Sequence, residues 1–137
     1  MVHALQSVRK LLVPHGIVIE VHNLPVPPVI EVHSGTSIIK VGWLLDKTDF
    51  EVERSAFNAL FQVIENGEYL LDDQRDFLFN TQVDDLQEMQ SWLDQWWESA
   101  ILSELTNKKI KAAMDQAGKG SRIVTVIPTR MVKLRVK

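Results

Sequence analysis

The stretch SVRKLLVPHGIVIEVHNLP, residues 7–25, constrains the fold more than any other part of the chain. Ala4, Leu5, Val8, Leu11 and Leu12 recur at helical spacing, and Arg9 and Lys10 fall where a helix C-terminus favours cations. Pro14 stops that helix, and Gly16 is read as the residue that frees the backbone to turn into the next element. IVIEVH (17–22) is nearly continuous in apolar residues, which predicts a strand central in its sheet. A helix of about ten residues is marginal in water and has to be held by packing. The sequence offers no strand ahead of this helix to pack it against.

Length and composition bound what the remainder can do. At 137 residues the chain suits one domain, 1–137, with a real core. Its hydrophobic and charged fractions, 45% and 24%, are those of a globular protein. There is no cysteine, so disulfides and thiolate-ligated metals are excluded, which suits a reducing, cytoplasmic setting. No apolar run reaches the roughly 18–20 residues of a membrane span, and no signal-peptide core is present. The net charge of −3 conceals strong segregation: residues 1–45 carry +1, residues 46–107 carry −12 and residues 108–137 carry +8. That division fits a solvated acidic surface beside a basic sheet edge, or attraction between the two regions within a chain or across a dimer. Nucleic acid is a poor partner, because the basic tail has no aromatic residue to stack on bases.

Three prolines in NLPVPP (23–28) make a semi-extended connection. VIEVHS (29–34) and TSIIKVGWL (36–44) flank Ser34-Gly35 as a hairpin. Thr48 and Glu51 have the spacing of a capping box, and the helix they open ends at Asn66-Gly67. EYLLDDQRDFLFNT (68–81) reads as two short strands around Asp72-Asp73-Gln74. Thr81 or Asp85 caps a long helix that breaks near Thr106-Asn107, and a last helix ends at Gly118 and Gly120. RIVTVI (122–127) and RMVKLRV (130–136) read as two strands around Pro128-Thr129, with Val132, Leu134 and Val136 facing inward. The expected fold is therefore α/β or α+β, with several helices on a mixed sheet of about five to seven strands.

The run ALQSVRKLLVPHGIVIEVHN (4–23) resembles a segment of class I S-adenosylmethionine-dependent methyltransferases. In that family a helix ending in a leucine pair, then Lys-Pro-Gly-Gly, leads into the fifth strand of a seven-stranded sheet. Leu11-Leu12-Val13-Pro14-His15-Gly16 occupies that place here, with Val13 and His15 departing from the usual Lys and first Gly. The resemblance covers about 20 residues and implies the C-terminal half of a Rossmann-like fold, including a closing strand pair. The glycine-rich cofactor loop of the family has no counterpart: none of the six glycines forms a G-x-G turn between a strand and a helix. No cofactor is therefore expected on this chain alone. The resemblance implies a partner instead, either a second copy in a homodimer or a separate cofactor-binding chain.

No acid, base or nucleophile constellation stands out, so no catalytic residue is assigned and an independent enzymatic activity is not expected. His22 and Asn23, at the C-terminal end of the first strand, are the substrate-side candidates, since ligands of open α/β sheets bind there. Glu20 and His22, and likewise Glu31 and His33, share a strand face. Were those strands paired, the four could converge as metal ligands, although a solvated strand face needs no metal and none is assigned. Trp92, Trp96 and Trp97 crowd one helix too densely for a narrow core stripe, and are candidates for an interface. The functional expectation is a methyltransferase-like C-terminal domain that contributes an acceptor-side wall and an oligomer contact. The alternative is a protein- or small-ligand-binding module with no methyltransferase role.

Overall fold

The computed structural model describes residues 1–137. In chain order the elements are α1 (Val2–Leu11), β1 (Ile17–Asn23), β2 (Val29–Ser34), β3 (Ser37–Trp43), β4 (Leu45–Asp46), α2 (Glu51–Glu65), β5 (Tyr69–Val83), α3 (Leu86–Trp96), β6 (Ala100–Ile101), α4 (Glu104–Ala117) and β7 (Arg122–Val136). This is a mixed α/β fold. Its five-stranded sheet has the order β1-β7-β2-β3, with β5 also pairing β7, and β4 and β6 form a separate two-stranded ladder. The ladders β1/β7, β2/β7, β2/β3 and β4/β6 are antiparallel. The residues pack as two compact units, one of Met1–Pro25, Phe50–Phe77 and Pro128–Lys137, the other of Val26–Asp49 and Leu78–Ile127.

In the first unit, β1 pairs β7 without interruption from Ile17↔Arg135 to Asn23↔Thr129. Val132, Leu134 and Val136 of β7 are buried against Leu5 of α1, Leu60 and Val63 of α2, and Tyr69, with Val18 partly buried beside them. The alternation of the last strand is thus as expected, and the short α1 is held by tertiary packing. The Tyr69 hydroxyl donates to the Leu5 carbonyl at 2.7 Å, and burial pushes its phenol pKa up. The turn after α1 differs from the reading. His15 takes the left-handed conformation, with φ 63°, while Gly16 is needed for close approach, since a Cβ there would lie 2.9 Å from the Val13 carbonyl oxygen.

Two further differences concern strand length. β5 is one continuous strand rather than two, because its polar centre is partnered instead of turning. Asp72 accepts from Arg135 and Asp76 from Arg130, both on β7. β7 is likewise continuous through Pro128, whose carbonyl accepts the Leu24 amide at 2.8 Å. The segregated acidic and basic regions attract one another within the chain. The third difference is β1 itself. It pairs only with β7 and so is an edge strand, not a central one.

In the second unit, Ile30 and Val32 of β2, Val41 of β3 and Ile123 of β7 are buried with Met89 and Leu93 of α3 and Ile110 and Ala113 of α4. The hairpin turns through Gly35-Thr36, with Ser34 opposite Ser37 and Gly35 at φ 56°. The expected capping box does not form. Thr48 instead donates its amide and hydroxyl to Asp46, and α2 begins at Glu51 after Phe50, which has φ 58°. Asp85 caps α3 by accepting the Glu88 amide at 2.8 Å. The helix break lies between Trp96 and Glu104 rather than near Thr106, because Ser103 is the N-cap of α4 and accepts the Thr106 amide.

Candidate site around His22

The register of β1 on β7 sets His22 directly opposite Arg130, and the two-residue period of the strand puts Glu20 on the same side. That side is the one covered by α1 and α2, since Val18 shares it. The Glu20 carboxylate accepts from His22 Nδ1 at 2.7 Å. Arg130 donates through Nε and Nη2 to both oxygens of Asp76, at 2.7 and 2.8 Å, and its guanidinium lies 5.6 Å from the centroid of the Phe57 ring. Hydrogen bonds from Arg130 hold the Asp76 carboxyl below its ordinary pKa, and Asp76 in turn raises that of Arg130. The Glu20–His22 pair and the Arg130–Asp76 pair thus lie side by side across the β1/β7 ladder, within the first unit.

His22 is 9% exposed, and its Nε2 has no hydrogen-bond partner. A carboxylate that orients an imidazole through Nδ1, leaving Nε2 bare, is the arrangement of a general base. A base must also reach its substrate, and this nitrogen has essentially no accessible surface. The site can hold and orient a charge pair but cannot touch a substrate in this state. An unpaired buried nitrogen costs about 1–3 kcal/mol, which makes His22 a distinctive position. We expect Glu20→Leu alone to destabilise the chain by about 1–3 kcal/mol, because Nδ1 would then also be unpaired. The Glu20→Leu/His22→Leu double variant should recover most of that loss in a urea titration.

The other candidates are placed as follows. Asn23 follows His22 in the strand and points to the opposite face, so the two do not line one wall. Glu31 and His33 form their own pair at 2.7 Å on β2. β1 and β2 are not ladder partners, so the premise of a four-residue metal set is not met, and no group of three or more metal-binding side chains is present. Trp92 and Trp97 pack partly buried against the core of the second unit, and Trp97 Nε1 donates to Asp46 at 3.0 Å. Trp96 is 70% exposed. No protein-family model, curated protein or solved structure matches this chain. No helix is long and apolar enough to cross a membrane.

Sequence reasoning did not find Arg130 and Asp76. They are 54 residues apart, and only the pairing of β5 with β7 brings them together. The charge segregation was the available signal.

Proposed function

We propose that this chain is a methyltransferase-like C-terminal domain that is not a catalyst by itself and completes its sheet with another protein surface. The observation that carries the reading is the open edge of β1: a strand that exposes Ile17, Ile19 and Val21 on one face pairs on one side only. Two other features support it. α1 runs into β1 and α2 runs into β5, and β7 closes both strands, as a helix–strand unit followed by a closing pair requires. The glycines with positive φ (Gly35, Gly67, Gly118 and Gly120) lie at a hairpin, at helix ends and before β7, none of them on a strand-to-helix phosphate loop. In this reading Asn23, on the open face at the C-terminal end of β1, belongs to the acceptor-side wall, and the buried His22 lies on the other face and supports the strand from behind.

Titrating S-adenosylmethionine into the purified chain tests the proposal. No saturable heat is expected up to millimolar ligand, and micromolar binding would overturn it. The second reading, an interaction module without any methyltransferase history, is favoured by the sealed state of His22. It predicts the same null titration, and no complementing cofactor-binding chain.

A further inference from the structure

The free edge of β1 lacks three common safeguards of an exposed strand. Edge strands are commonly protected by lysine, proline, a bulge or a covering element. β1 has no lysine and no proline, and its seven-residue register on β7 has no irregularity. Its one acidic side chain, Glu20, is turned to the helix-covered side and held by His22. The other face presents Ile17, Ile19 and Val21, which are 49%, 55% and 55% exposed.

The neighbouring cations already have partners within the chain. Behind this apolar row, β7 contributes Lys133 and Arg135 to the same face, and Asp72 lies 3.8 Å from the first and 2.6 Å from the second. Arg75, near Ile19 and Lys133 in a shallow depression, is paired with Asp73 at 3.0 Å. Each of these three cations is paired, although they share two carboxylates, so the surface makes little demand for a strongly charged partner such as nucleic acid. It calls for a neutral, apolar strand.

The sequence of β1 supplies one. A two-fold contact requires that residue i meet residue j and j meet i. Antiparallel pairing of β1 with its own copy, with the axis at Ile19, sets Ile17 opposite Val21 of the partner subunit and Ile19 opposite Ile19 of the partner subunit. All of these lie on the open face, so the apolar rows merge into one cluster. Moving the axis by one position to Glu20 would bring two carboxylates opposite one another, which is unfavourable. We propose that β1 is the contact between two copies of this chain, joined antiparallel about Ile19 into one continuous sheet. This rests on the reading of β1 as an unfinished edge and not on any relation to S-adenosylmethionine.

The absence of native cysteine makes the test direct. Light scattering at micromolar concentration should give about twice the 15.7 kDa chain mass for the wild type. Ile19→Lys should give a monomer with unchanged circular dichroism, since the side chain is exposed. Ile19→Cys should form a covalent dimer on mild oxidation. Ile38→Cys, on an exposed position of β3, should not. A monomeric wild type, or a dimer that survives Ile19→Lys and resists cross-linking at residue 19, overturns the inference. The cross-link decides the matter even if the lysine variant fails to fold. A monomer would leave the methyltransferase-like reading standing, whereas binding of S-adenosylmethionine would remove that reading and leave this one.

Discussion

Gly42→Ala is expected to cost about 2–3 kcal/mol of stability, near the upper end for overpacking a filled site. A Cβ at Gly42 would sit 2.7 Å from Thr106 Oγ1 and 2.8 Å from its Cγ2. Thr106 is buried at the start of α4, and its hydroxyl accepts from Ser103, the N-cap of the same helix. Relief therefore requires either moving α4 away from β3 or turning the Thr106 side chain, which breaks its bond from the Ser103 hydroxyl. The first disturbs the core in which Ile110 and Ala113 lie with Ile30 and Val32, and the second loses a buried hydroxyl bond. Thermal melts should show a fall of roughly 6–15 °C. Adding Thr106→Ala should restore part of it, because the remaining contact, at 3.3 Å to Cβ, is milder. An unchanged melting temperature in Gly42→Ala would mean that α4 does not approach β3 so closely.

Asp46→Ala should cost about 2–4 kcal/mol, because several donors lose their acceptor together. One carboxylate oxygen accepts from Trp97 Nε1 and Ser99 Oγ, the other from the amide and hydroxyl of Thr48. Burial by itself would raise the Asp46 pKa, but these hydrogen bonds together hold it well below the ordinary carboxylate range. Asp46→Asn should be nearly as damaging. Either orientation of the amide points its NH2 at a donor that cannot reverse, the Thr48 backbone or the Trp97 indole. A depressed pKa in the folded state contributes stability that is fully present above the ordinary carboxylate value and is lost as pH falls through the folded value. The gap in stability between wild type and Asp46→Asn should therefore be constant above about pH 5 and narrow toward pH 2. A gap independent of pH would contradict the assignment.

Elements set by local signals were readable from the residues alone. Helical spacing of Leu5 and its neighbours, Asp85 as a cap, the turn at Gly35 and the alternation of Val132, Leu134 and Val136 all depend on residues close in sequence. Features set by distant partners were not. Asp72-Asp73-Gln74 looks like a turn until arginines on β7 take up its carboxylates, and β5 then runs straight through. Thr48 looks like a helix cap until Asp46 takes its amide and hydroxyl. At the site, the Glu20–His22 pairing followed from strand periodicity, whereas the Arg130–Asp76 clamp required knowledge of the ladder. The apolar run of β1 was legible too. It suggested a strand enclosed on both sides, and the structure places that strand at an edge.

That edge is the centre of the account, and residue-resolved hydrogen exchange reads it most directly. In the chain held monomeric by dilution or by Ile19→Lys, successive amides of β1 should alternate between slow exchange, where they bond to β7, and fast exchange, where they face outward. The paired amides of β7 should be uniformly slow. Uniform protection along β1 in the monomer would mean that its outer edge is already covered, and would contradict the account.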